Sequence, residues 1–154
     1  MQLRVSIGSD HRGVALKARL VKSLRQAGYE VFDAGTDQIE PVDYPDIAHL
    51  VACAVRDGMA ERGILLCGTG IGMAIVANKY RGVRAAVCHD AVMAEISRRH
   101  NDANVLCLPA DLIGQRPIED WVLHWLATDF EGGRHERRVH KIHALEAGPE
   151  SHTL

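Results

Sequence analysis

The strongest constraint on what this chain can fold into is an alternation repeated five times along it. A short β-rich apolar run is followed each time by a longer segment with apolar residues at helical spacing. Residues 3–8 (LRVSIG) have the composition of a strand, and residues 14–28 show helical periodicity up to a closing glycine, Gly28. A second strand is predicted over 30–35, then a helix that opens near Pro45 and continues over 47–58. The third unit pairs a strand at 63–67 with a helix at 71–80, and the fourth a strand at 83–88 with a helix at 91–101. The fifth pairs a strand at 104–109 with a helix at 117–129. A last helical segment, about 134–146, holds most of the C-terminal charge, and 147–154 are expected to form a frayed tail.

Such alternation predicts an α/β protein whose parallel sheet carries helices on both faces. Right-handed crossovers narrow this to a Rossmann-like or flavodoxin-like three-layer α/β/α sandwich with a five-stranded parallel sheet. The length of 154 residues suits one domain, expected over 1–146. Ligands of such folds bind beyond the carboxyl ends of the strands. That rule selects SDH after the first strand, CGTGIG after the third, CHD after the fourth and PADLIG after the fifth.

Composition then removes whole classes of function. A net charge of −2 and a pI near 6.5 give no reason to expect nucleic acid or an anionic membrane as partner. No apolar run approaches the roughly 20 residues that span a bilayer, and the first residues lack a signal-like apolar core, so a cytoplasmic protein is expected. The four cysteines, Cys53, Cys67, Cys88 and Cys107, form no C-x-x-C pair, which argues against a zinc or thioredoxin-type motif. Three of them sit in or beside apolar runs and read as small buried hydrophobes.

Cys67 stands apart by position. It ends the third strand and enters Gly68-Thr69-Gly70-Ile71-Gly72, which opens the next helix. The run is not G-x-G-x-x-G, because Met73 occupies the place of the last glycine, and it is not a P-loop. It offers backbone N–H groups with little side-chain bulk, which suits a phosphate, a carboxylate or an oxyanion formed in a reaction. A helix N-terminus favours thiolate over thiol, so a sulfur there can attack a carbonyl or remove a proton. Nucleophilic use calls for a histidine, and His100 in RRHND is a candidate from a neighbouring loop. Spacing alone leaves the two roles open.

The motifs GSDHRG (8–13), DYPD (43–46), GILLCGTGIGMAIVANK (63–79), RHNDANVL (99–106) and EGGRHERRV (131–139) occur in that order. Together they resemble the ribose-5-phosphate isomerase type B family, which also includes galactose-6-phosphate and allose-6-phosphate isomerases. The resemblance implies a Rossmann-like fold, a homodimer or a tetramer built from dimers, active sites at the subunit boundary, and neither metal nor organic cofactor. It implies aldose–ketose isomerisation of a sugar phosphate through an enediolate, with Cys67 as the proton-transferring base. A second subclass uses a glutamate six residues further on; Met73 stands there in this chain. By the same resemblance the N–H groups of Gly68, Thr69, Gly70, Ile71 and Gly72 stabilise the enediolate, while Thr69 and His100 assist ring opening. Asp10, His11 and Asn101 hold sugar hydroxyls, His11 alternatively the phosphate, and Tyr44 lines the pocket. On their own, Asp10 and Asn101 would serve equally as caps or turn residues. Arg134 and Arg138 lie at i and i+4 on one helical face, and the family uses arginines there to clamp the phosphate from the partner subunit.

One departure bears on the substrate. The family follows NVL with a glycine-containing turn and an arginine that touches the phosphate, whereas this chain has Pro109 and Asp111. An anion near a phosphate dianion replaces attraction by repulsion. Either Asp111 is turned away and Arg134 and Arg138 suffice, or the substrate differs from ribose 5-phosphate: a tetrose or hexose phosphate, or a free sugar. Two other classes remain as alternatives. A phosphate- or nucleotide-binding module would keep the loop and the arginines without needing a thiol. A metalloenzyme is suggested by His135, His140 and His143, although no carboxylate or cysteine pattern completes that set.

Overall fold

The computed structural model describes residues 2–148. β1 (Arg4–Ser9) leads through a 3-10 turn (His11–Gly13) into α1 (Val14–Gln26). There follow β2 (Glu30–Asp33), α2 (Tyr44–Arg56), β3 (Arg62–Cys67), α3 (Ile71–Ala77), β4 (Ala85–Val87), α4 (Ala91–Asn101), β5 (Val105–Pro109), α5 (Ile118–Ala127) and α6 (Arg134–Leu145). The five strands form one sheet in the order β2-β1-β3-β5-β4, and every neighbouring pair is parallel.

The expected parallel sandwich is present, with one difference in strand order. A flavodoxin-type sheet runs 2-1-3-4-5; here the last two strands are exchanged. Their sequences give the reason, β5 (VLCLP) being longer and more apolar than β4 (AAV), and burial follows. Every residue of β5 is buried, whereas each of the three residues of β4 is only partly so. The more apolar strand takes the interior position and the shorter one the edge.

The period-two geometry of strands divides the core. Ile64 and Leu66 of β3 join Leu20, Leu24, Trp121 and Trp125 on the face covered by α1, α4 and α5. Leu65 and Cys67 point the opposite way, to Val51, Ala52, Met73 and Ala77 of α2 and α3. Full burial of a Leu or Ile side chain contributes about 1.5–3 kcal/mol, so a one-residue slip of β3 is strongly disfavoured. Register therefore decides which face receives the Cys67 side chain.

Most elements are a little shorter than their sequence pattern, and α3 and β4 show a physical reason. α3 stops at Ala77 rather than residue 80 because the Asn78 side chain pairs with the backbone of Ala85, accepting from its N–H at 2.8 Å and donating to its carbonyl at 2.9 Å. β4 correspondingly covers 85–87 of the expected 83–88. Of the expected tail, residues 149–154 lie outside the described residues. Among those described, no helix is long and apolar enough to cross a membrane.

Candidate active site

The chain leaves β1 for β2 on one side, then crosses to β3 on the other, so β1 and β3 flank a switch point. A cleft of ≈ 590 Å³ opens at their carboxyl ends, lined by residues that include Asp10, Arg12, Cys67, Thr69 and Asp111. Asp10 is 5% exposed; its Oδ1 accepts from the Arg12 N–H at 3.0 Å, so it both caps the 3-10 turn and faces the cleft.

Cys67 is also 5% exposed, at once part of the α2/α3 core and of the cleft lining. Its sulfur accepts from the N–H of Gly70 at 3.1 Å. An N–H aimed at sulfur stabilises negative charge there. The donor depends on a left-handed backbone at Gly70 (φ +76°), where a Cβ would stand 3.2 Å from the Leu108 carbonyl carbon. Burial pushes the Cys88 thiol up to about 11 and the Cys107 thiol well above its usual value. Neither lines this cleft. Met73 is fully buried, away from the cleft wall.

The glycine loop turns out less bare than its composition suggests. The Gly70 N–H serves the sulfur, and the Ile71 N–H donates to Thr69 Oγ1 at 3.3 Å. Gly72 lies under the Tyr44 ring, which a Cβ would approach to 2.6 Å. Gly68 lies under Arg12 and Asp111, whose Oδ2 would be 2.7 Å from such a Cβ. Two of the glycines thus make room for side chains that build the cleft walls. Arg12 is the residue the motif reading missed; its one signal is its place directly after Asp10 and His11.

Asp111 is not turned away. It lines the cleft and pairs with Arg12, Oδ2 to Nε 2.5 Å. His11, by contrast, is not among the lining residues; its Nδ1 accepts from the Val42 N–H at 3.3 Å and so ties the 3-10 turn to the segment before α2.

His100, Asn101, Arg134 and Arg138 do not line this cleft either. They gather where α4 ends beside α6. His100 stacks on His135 with ring centroids 4.1 Å apart and planes 6° from parallel. Glu131 Oε2 lies 3.7 Å from His100 Nε2 and 3.5 Å from His135 Nε2. Arg99 donates to Glu131 Oε1 at 2.6 Å and holds that carboxyl below the usual range. Desolvation pushes the His135 imidazole below its ordinary value, with the charges of His100 and Arg134 acting the same way. The chain turns off α4 at Asp102 (φ +46°), whose carboxylate accepts from Arg98 at 2.7 Å and Arg84 at 3.1 Å. Asn101, Arg134 and Arg138 are exposed.

His100, Glu131 and His135 offer ligand atoms within 4.8 Å of one another. A metal bound in-plane by both rings must lie in both ring planes, and near-parallel planes share no nearby point. The arrangement therefore fits stacking better than ligation. The set first suggested by the sequence does not assemble: His140 is exposed and His143 Nε2 lies 2.8 Å from Arg84 Nη1.

The fold and the cleft define an α/β protein with a nearly buried thiol at its switch point, and the comparisons with known proteins supply the class. The chain belongs to the Ribose/Galactose Isomerase family, whose model matches residues 5–142. It is 45% identical over 143 residues to ribose-5-phosphate isomerase B of Escherichia coli K12, covering 93% of this chain and 96% of that one. To the D-erythrulose-4-phosphate isomerase of Pectobacterium atrosepticum it is 45% identical, covering 91% and 93%. The crystal structure of Mycoplasma genitalium ribose-5-phosphate isomerase B with bound ribulose 5-phosphate superimposes with a TM-score of 0.92. Identity there is 38%, with 97% of this chain and 99% of that one covered.

Proposed function

We propose that residues 1–146 form a single isomerase domain that interconverts ribose 5-phosphate and ribulose 5-phosphate, with Cys67 as the base. The observation that carries this is the Cys67 sulfur, set in the cleft between β1 and β3 with the Gly70 N–H donating to it. After ring opening, the thiolate takes the hydrogen from the carbon beside the carbonyl, whose oxygen receives the electron pair. The O2 hydroxyl proton passes to O1, and the enediolate is reprotonated by the same thiol on the neighbouring carbon as O2 becomes the new carbonyl. Thr69, exposed on the lip of the cleft, assists ring opening with His100. N–H groups of Gly68, Thr69 and Gly72 hold the developing oxyanion, since those of Gly70 and Ile71 are engaged within the loop. Asp10 and Asn101 hold sugar hydroxyls and Ile71 completes the pocket, while His11 acts from outside the lining by tying the 3-10 turn to the segment before α2. The chemistry calls for neither metal nor organic cofactor.

The cleft of one chain lacks His100, Asn101, Arg134 and Arg138, so in this reading a second copy supplies them and the working unit is a homodimer with two shared sites. Exposed apolar side chains on both halves support that arrangement. Ile71 and Ile75 on α3 are 53% and 57% exposed, and Val92 and Met93 on α4 are 64% and 42%. Pairs of dimers and a cytoplasmic location accord with the same reading.

A second substrate reading has its own support: Asp111 faces the cleft, and one relative carries the name D-erythrulose-4-phosphate isomerase. Turnover across tetrose, pentose and hexose phosphates and the free sugars decides between the two. A pentose-phosphate enzyme gives its highest kcat/KM with ribose 5-phosphate; a peak at the tetrose moves the assignment. Incorporation of solvent deuterium beside the carbonyl is expected in either case, and its absence with every sugar would leave a binding module.

A further inference from the structure

The cleft that holds Cys67 is lined by two carboxylates, Asp10 and Asp111, and among the described residues by a single cation, Arg12. Formally that wall carries −1 with Arg12 and −2 without it, so within one chain a phosphate dianion meets attraction only at Arg12. Arg12 is fixed at its root, because its backbone N–H donates to Asp10 Oδ1 at 3.0 Å in the 3-10 turn that follows β1. It is fixed again near its tip, where Nε donates to Asp111 Oδ2 at 2.5 Å. Gly68 lies beneath the pair, so close that a Cβ would fall 3.1 Å from Arg12 Nε. Only the Nε edge of the guanidinium is engaged. Among the described residues neither Nη has a hydrogen-bond partner, which leaves a two-pronged donor edge free on a side chain that is 55% exposed.

We propose that Arg12 receives the phosphate of the substrate in the Cys67 cleft, and that Asp111 is its positioning residue. The assignment rests on the sugar-phosphate isomerase reading and names a contact within it. A planar guanidinium held by one edge presents its other edge in a fixed orientation, the geometry that matches two phosphate oxygens at once. Asp111 has two opposed effects: it aims Arg12, and its charge weakens the attraction of the site for a dianion. Chain position hides this pairing, since the two residues are 99 apart.

The test uses two readouts, steady-state kinetics with ribose 5-phosphate and calorimetric titration of the full chain with inorganic phosphate. Arg12→Gln is expected to raise KM and the phosphate dissociation constant by about tenfold or more, with kcat changed less than about threefold and Tm unchanged. Arg12→Lys, which keeps the charge but loses the fork, falls between. Asp111→Asn keeps an acceptor for Nε while removing the negative charge, and is expected to tighten phosphate binding; a merely structural role would not predict that direction. Arg12→Gln with wild-type KM and wild-type phosphate binding would overturn the assignment. Absence of turnover in the wild type would instead remove the isomerase reading, and the titration of Arg12→Gln against wild type would still decide the role of Arg12.

Discussion

The loop after β3 and the corner after α4 make an instructive pair. The loop contributes a donor N–H to the Cys67 sulfur, and its cleft is lined, among the described residues, by two carboxylates from other strand ends and a single cation. The corner holds two stacked histidines and two exposed arginines one helical turn apart, and none of its residues lines that cleft. The first holds the proposed base, and the second holds the residues that the proposed function assigns to a neighbouring copy's site. Within one chain the two do not line the same cleft. The division indicates why a second copy is invoked, and it gives each half a separate way to fail.

The largest expected effect is on the loop. Cys67→Ala should lower kcat by about 10³-fold or more with KM within a few-fold, the signature of a lost proton-transfer group rather than lost binding. Steady-state rates and equilibrium binding of substrate check both parts. Next comes Gly70→Ala. The new Cβ meets the Leu108 carbonyl carbon at 3.2 Å in a left-handed backbone, a strain of about 1–3 kcal/mol. Tm should fall, and kcat with it, because the donor to the sulfur shifts; Gly28→Ala, with nothing near its Cβ, should leave kcat unchanged.

The corner should respond to acid instead. His135 binds a proton less readily in the folded state than at its ordinary value of 6.5, chiefly through desolvation. The unfolded chain therefore takes up the proton first as pH falls. The stability tied to His135 is full above about pH 6.5 and is lost as pH drops through the folded-state value. Denaturant midpoints between pH 7.5 and pH 5 should fall less steeply in His135→Gln than in the wild type. Parallel slopes would place the acid sensitivity elsewhere.

How much of this was legible in the sequence depends on the range of the forces involved. α4 occupies 91–101 as its periodicity predicts, because its register is set by local apolar spacing and by Asp90, which accepts from the Met93 N–H at 2.8 Å. The exchange of β4 and β5 was not legible, since strand order is set by competition for the sheet interior and not by the order of elements. Cys67 could be singled out because strand end, glycine and helix start are consecutive. The Arg12–Asp111 pair could not, because the two halves of an ion pair 99 residues apart leave no mutual trace in the chain. The stacking of His135 on His100 was hidden for the same reason, although both residues had drawn notice singly.

The claim that two incomplete regions from different copies make one site is tested most directly by mixing. Cys67→Ala and His100→Ala chains, each carrying a different tag, are refolded together and hybrid formation is verified by mass spectrometry. Each variant alone should be nearly inactive. With random pairing, half of the dimers are hybrids with one intact site of two, so activity should return to about one quarter of wild type. Hybrids that form and remain inactive would contradict the shared site.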